Sequence, residues 1–286
     1  MQFGTEDDYP LYDSAIHQAA SNGDITIIRN LLDGPGRTQR VNLKNYLGCT
    51  PLRLAASKGH WECVQLLLQS GASIEEGDRK GQTALFMAIA GNHIECVKLL
   101  LAAGADPNGR RENMCTPLYL AACAGFVECI DLLLDAHADV NRKHTDVDWL
   151  TFLTDPLCVS IEKNHFECFR LLLMAGADMS CGQGVSGLRH LTLQALQKND
   201  PRYLQMLLEF GLSLQITDLN HQQFTLQKEK FTPGMYTFLQ IALSNVRPLQ
   251  DLCRFTVRRA IGLRNMSCLV KKLPLPGKLQ DFIVFR

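Results

Sequence analysis

The sequence predicts an all-α protein, a stack of short helix pairs ending in an amphipathic terminal segment. Three observations point there. Cys63, Cys96 and Cys129 stand 33 residues apart, each behind a glutamate, in the phrases HWEC, HIEC and FVEC. Thr50, Thr83 and Thr116 keep the same period, as do Gly71 and Gly104. Finally, the last forty or so residues carry an apolar stripe, yet a segment of about 40 residues cannot close a core of its own. Each repeated unit is likewise too small to bury its apolar face alone, so neighbours must stack into a solenoid.

The chain opens with MQFGTEDDYPLYD, which lacks the basic-then-apolar design of a secretory signal. Residues 1–12 read as an extension. The repeats are expected over 13–215, in about six copies. The clearest lines are GCTPLRLAASKGHWECVQLLLQSGAS, GQTALFMAIAGNHIECVKLLLAAGAD, MCTPLYLAACAGFVECIDLLLDAHADVN and TDPLCVSIEKNHFECFRLLLMAGAD. A weaker copy is SAIHQAASNGDITIIRNLL, and a decayed one is HLTLQALQKNDPRYLQMLLEFG. Within a copy, Thr50 or Thr116 can accept from free amides at a helix start, with Pro51 or Pro117 in the first turn. Gly59 and Gly125 end the first helix, and Gly71, Gly104 and Gly176 the second, where left-handed geometry favours glycine. The period and wording resemble the ankyrin repeat, a β-turn plus two antiparallel helices.

Departures from that family's wording are informative. Its TPLH histidine survives as His17, and the matching positions hold Arg53, Phe86, Tyr119 and Cys158. Phe86 and Tyr119 are expected to pack between repeats. His60, His93 and His165 recur between the helices and are expected to hydrogen-bond helix ends. The cysteines of the 33-residue period sit among apolar positions and read as small core residues. Before Cys168 the spacing grows to 39, so six residues are inserted between Asn141 and Asp155. Trp149 and Phe152 in that insertion either tuck against a neighbouring repeat or meet a partner. From 216 to 245 the repeat wording fails, and a polar connection leads to a short helix at about Met235 to Leu243.

Residues 246–286 form the terminal box. Leu249, Leu252, Cys253, Val257, Ala260 and Ile261 fall at helical spacing, behind Pro248 and ahead of Gly262. Leu249-x3-Cys253-x3-Val257 matches the elongin-binding box of the SOCS-box family. Leu273-Pro274-Leu275-Pro276 resembles that family's cullin box, and Leu279, Phe282 and Ile283 resemble the helix that closes it. Together with the repeats, the chain is similar to the ankyrin repeat and SOCS box proteins. The resemblance implies an ankyrin-repeat solenoid of about six helix pairs with short hairpin tips, followed by a small three-helix SOCS box. It also implies a substrate receptor of a Cullin-5 RING ubiquitin ligase. Leu249, Leu252, Cys253, Val257 and Ile261 would then dock elongin C and, through it, elongin B. Leu273, Pro274, Leu275 and Pro276 would select Cullin-5 with its RING-box protein. The alternative is an ankyrin scaffold or inhibitor with no link to ubiquitin transfer.

Other chemistry finds little support. No GxSxG, HExxH, HRD or GxxxxGK[ST] occurs, and no CxxC pair suggests zinc. Gly182 to Gly187 spells GxGxxG but follows no strand pattern. The chain is therefore expected to be non-catalytic, without cofactor or metal. Lys+Arg 29 balance Asp+Glu 29, which asks for neither nucleic acid nor an anionic membrane. Eleven cysteines in a chain without a signal suggest free thiols in a reducing compartment, hence an intracellular protein, cytoplasmic with the nucleus left open. The Asn265-Met266-Ser267 sequon is expected to stay unused there. What remains is surface recognition. Ankyrin repeats hold partners at hairpin tips, and here the tips carry Tyr46 and Leu47, Arg79 and Lys80, Arg110 and Arg111, then Arg142 and Lys143. These cations either receive an acidic segment of a target protein, with Tyr46, Leu47 and Trp149 as apolar anchors, or form a solvated rim.

Overall fold

The computed structural model describes residues 14–33, 36–110, 113, 115–142, 155–179, 191–210 and 232–237. The chain divides into two compact units, Met1–His144 and Thr145–Arg286. Among the described residues both units are built of helices, in antiparallel pairs, with no strand.

The first unit holds four pairs. They are α1 (Ala15–Asn22) with α2 (Ile25–Leu32), α4 (Pro51–Lys58) with α5 (Trp61–Gln69), α6 (Ala84–Ala90) with α7 (Ile94–Ala102), and α8 (Pro117–Ala124) with α9 (Val127–Asp135). A short helix, α3 (Arg37–Val41), links the first two pairs. First helices stack on first helices, α1 on α4, α4 on α6 and α6 on α8; second helices stack in a parallel row. The alanines explain the closeness of the stack. Ala55, Ala56, Ala88, Ala121 and Ala122 are fully buried, so neighbouring backbones approach over side chains of one carbon. Ile28, Val64, Leu67, Val97, Leu100, Ile130 and Leu133 fill the space behind them.

The second unit holds α10 (Pro156–Glu162) with α11 (Phe166–Met174) and α12 (Leu191–Lys198) with α13 (Pro201–Glu209), α10 packing on α12. The decayed sixth copy thus still folds as a helix pair. Its core differs from the others. Tyr203 takes the place of the periodic cysteine, packs edge-on to Phe166 and Phe169 at 5.2 and 5.0 Å, and donates its hydroxyl to Asn164 Oδ1.

The expected caps form. Thr50 and Thr116 accept from the amides of Arg53 and Tyr119, with Pro51 and Pro117 in the first turn; Thr83 caps α6 in the same way. In α10 and α13 the task passes to Asp155 and Asp200. Two of the three interhelical histidines, His60 and His93, hydrogen-bond helix ends as the sequence suggests. His60 and His93 reach back one repeat, Nε2 against the carbonyls of Ser21 (3.0 Å) and Ser57 (3.2 Å). Each ring lies where a β-carbon of the preceding repeat's turn would stand: one on Gly59 would come within 2.5 Å of His93 Nδ1. With φ at +78° as well, Gly59 is required on two counts.

Cys63, Cys96, Cys129 and Cys168 are buried, as their apolar spacing implies. Burial above all, and then nearby glutamates, pushes the thiols of Cys63, Cys96 and Cys129 up to about 11. They are protonated at neutral pH and act as packing atoms.

Among the described residues, one copy departs from the glycine rule at the end of its second helix. After α9 the left-handed residue is His137, φ 63°, where Gly71, Gly104 and Gly176 stand in other copies. A β-carbon in that conformation costs about 1 kcal/mol. Because His137 is exposed, His137→Gly is expected to stabilise the protein by about 0.5–1 kcal/mol. A chemical-denaturation midpoint that falls instead would contradict this.

The connecting segment corrects one reading. Residues 233–237 are helical, starting earlier than the expected Met235, and Met235 is fully buried. Thr232 precedes Pro233 as Thr50 precedes Pro51, and its carbonyl accepts from Tyr236 N. Its own amide and hydroxyl donate to Asn199 Oδ1 at 3.0 and 3.2 Å, 33 residues upstream. The repeat wording therefore resumes at Thr232 after apparent failure. A threonine and a proline alone, without the following alanines, gave too little pattern to see.

Candidate functional site

Two successive tips of the first unit share one construction. In the first, Asn45 Oδ1 accepts from the amides of Leu47 (3.1 Å) and Cys49 (2.8 Å). The Asn45 amide donates to the Cys49 carbonyl, and the Gly48 amide to the Asn45 carbonyl. In the second, 33 residues on, Asp78 Oδ1 accepts from the amides of Lys80 (2.8 Å) and Gln82 (2.9 Å). Again the Asp78 amide donates to the Gln82 carbonyl, and Gly81 to Asp78. A side-chain carboxyl or amide oxygen thus mimics a backbone turn, which is why aspartate and asparagine favour such positions. The two residues after each of them, Tyr46-Leu47 and Arg79-Lys80, point away from the packed helices and are exposed. The Arg79 amide donates to the Leu47 carbonyl at 3.3 Å, so the two turns lie side by side.

Beneath each turn sits the residue at the TPLH histidine position. His17 is buried; its Nδ1 meets Ser14 Oγ at 2.8 Å, and Nε2 meets the carbonyls of Leu43 (2.9 Å) and Cys49 (3.1 Å). Arg53 performs the same task one repeat later with a longer reach. Its Nε donates to the Gln82 carbonyl (3.0 Å), Nη1 to Cys49 Sγ (3.1 Å), and Nη2 to Asp78 Oδ2 (2.7 Å) and Gln82 Oε1 (3.1 Å). The side chains of Arg53 and Asp78 are only 9% and 10% exposed. So the histidine faces a turn built by asparagine, and the arginine faces one built by aspartate. Phe86, at the same position in the third copy, is buried, in keeping with the packing role expected of it.

The third and fourth tips differ. Arg110 is half-buried and its Nη1 donates to the Glu75 carbonyl at 3.1 Å, tying it to the base of the second tip. Arg142 is half-buried too. Arg111, Lys143 and Trp149 lie outside the described residues, as does Phe152 with the rest of the insertion. The nearby acids are already engaged: Glu76 pairs with Lys44 at 2.6 Å, Asp78 with Arg53, and Glu75 Oε1 accepts from the Asp106 amide. A single row of four equivalent cationic tips is therefore not what the described residues present. Arg79 and Lys80 stand out, beside Tyr46 and Leu47.

The elongin-binding and cullin-binding residues, Leu249, Leu252, Cys253, Val257, Ile261 and Leu273 to Pro276, also lie outside the described residues. Sequence reasoning missed Asn45 and Asp78 as turn builders and Arg53 as the anchor of the Asp78 turn. The signal was present in the shared period of Asn45 with Asp78 and of Gly48 with Gly81. Among the described residues no group of histidines, cysteines and carboxylates could hold a metal ion. Nor is any described helix long and apolar enough to cross a membrane.

Comparison with known proteins matches the architecture. The family described as ankyrin repeats (3 copies) matches residues 16–111, 75–144 and 108–183, and the SOCS box matches residues 245–283. A mouse protein, Ankyrin repeat and SOCS box protein 1, is 44% identical over 306 residues, taking in 97% of this chain and 91% of its own. The chain belongs to the ankyrin repeat and SOCS box proteins. Human Ankyrin repeat and SOCS box protein 12, another member, is 44% identical over 282 residues, 94% of this chain and 90% of its own. The solved ankyrin repeat domain of human ASB11 shares the fold at 24% identity, with a TM-score of 0.61 over 82% of this chain and 100% of that one. The SOCS-box match spans Leu249 to Pro276 entire.

Proposed function

We propose that this chain is the target-holding subunit of a ubiquitin ligase assembled on elongins B and C and on Cullin-5 with its RING-box protein, acting in the cytoplasm. The observation that carries the reading is the SOCS box at 245–283 following an ankyrin-repeat domain, in a chain similar to family members over nearly its whole length. In this reading Leu249, Leu252, Cys253, Val257 and Ile261 enter elongin C, and Leu273, Pro274, Leu275 and Pro276 choose the cullin. The ankyrin repeats hold the target. The chain's part in catalysis is proximity: by holding both target and ligase it raises the effective concentration of target lysines near the ubiquitin-loaded enzyme. It supplies no reacting group. Ubiquitin transfer then marks the target for degradation.

Co-expression with elongins B and C tests the assembly, scored by co-elution on gel filtration. A chain that stays soluble, monomeric and indifferent to both elongins fits a plain scaffold instead. Replacing Leu273 to Pro276 by alanines is expected to leave elongin bound while weakening Cullin-5 capture by about tenfold or more. Equal loss of both would contradict the division of labour.

A further inference from the structure

We infer that the first two tips form one docking site for a short extended segment of the target in which acidic residues adjoin a large apolar one. This rests on the receptor reading above and names the chemistry of what is held. Four observations support it. Tyr46 and Leu47 are 46% and 49% exposed, two adjacent large side chains on a turn held by the hydrogen bonds of Asn45. Arg79 and Lys80, both exposed, stand on the neighbouring turn, joined to the first by the hydrogen bond from Arg79 N to Leu47 O.

The third observation is electrostatic. The acids at the tip bases are engaged by Lys44, Arg53 and the Asp106 amide, and among the described residues none of them forms an ion pair with the side chain of Arg79 or Lys80. The two cations therefore lack a carboxylate partner among the described residues, and a guanidinium beside an ammonium favours a carboxylate from outside. The fourth is rigidity. Asn45 and Asp78 fix both turns from below, and Arg53 and His17 fix those in turn, so the four exposed side chains are presented with little backbone entropy to lose. An aromatic residue and an arginine side by side on a preorganised support is the composition of an energetic anchor in protein interfaces. An extended ligand suits the site because adjacent turns offer their side chains in a line, apolar pair first and cationic pair next.

The test selects peptides from a random dodecamer display library on the full-length chain purified with elongins B and C. If the chain proves not to hold elongins, it is run on the chain alone. The expected pool is enriched in peptides carrying two or more acids next to Leu, Phe or Trp. Binding of the best peptide should fall about tenfold in Arg79→Glu/Lys80→Glu and by a similar factor in Tyr46→Ser/Leu47→Ser. Both variants keep Asn45, Asp78 and Arg53, so thermal unfolding should be unchanged, and elongin co-elution should be unchanged as well. No enrichment, a pool without acids, or binding indifferent to both variants overturns the inference. So does a site that proves to be lipid-directed, with the same residues holding phosphatidylserine vesicles but no peptide. Elongin binding is read on the same samples, so a failed receptor reading is seen separately from a failed tip.

Discussion

Leu249→Ala combined with Cys253→Ala is expected to remove elongin C from the purified chain while the ankyrin repeats stay folded. The spacing of Leu249, Leu252, Cys253, Val257 and Ile261 would put them on one side of a helix, and a segment of about 40 residues is too short to be its own core. If that face enters a groove of elongin C, each buried leucine contributes roughly 1.5–3 kcal/mol. Losing the leucine and the smaller cysteine together removes about 3 kcal/mol, and every 1.4 kcal/mol is about tenfold in affinity. A loss of about a hundredfold therefore separates this variant from the unaltered chain in a titration with purified elongin B/C. Circular dichroism should show the same helical content and melting in both. Elongin bound within about threefold of the unaltered chain would mean that the stripe faces the chain's own repeats, and the ligase reading would lose its main support.

What was legible in the sequence was whatever repeats with period 33 or lies within a turn of its partner. The helix pairs, the caps at Thr50 and Thr116, the glycines and the buried cysteines all have local causes. So does the role of His60 and His93, whose period places each against the preceding turn. What stayed hidden depends on long side chains folding back across a repeat boundary. Arg110 looked like a free cation until its guanidinium was seen on the Glu75 carbonyl, 35 residues away. Arg53 looked like a lost histidine, though it takes up the same carbonyl one repeat on. Neither fact can be read from spacing, because a rotamer of a flexible side chain is chosen by neighbours distant in sequence. The helix at 233–237 was visible in part, but its Thr232-Pro233 start carried too few of the repeat's words to be read as one.

The exchange of histidine for arginine yields the largest expected effect on stability. Arg53→Leu leaves the Asp78 carboxylate buried without its cation, beside a Gln82 side chain and carbonyl that each lose the arginine as a donor. Breaking a buried pair from one side costs about 3–5 kcal/mol. At roughly 2–4 °C per kcal/mol for a domain of this size, melting should fall by about 10 °C. The first tip indicates the remedy. Where the anchor is a histidine, the turn is built by Asn45, whose Oδ1 accepts from the two amides equivalent to those on Asp78 Oδ1. Asp78→Asn keeps those acceptors and deletes the charge, so Arg53→Leu/Asp78→Asn should recover more than half of the loss. In the double variant the Gln82 carbonyl keeps only the Asp78 amide and its Oε1 loses the arginine, which keeps recovery from being complete. The cycle of two single variants and one double isolates the pair. If the double variant melts at or below Arg53→Leu, the uncompensated charge is not what destabilises that protein, and the packing of the arginine stem over α4 is the cause instead.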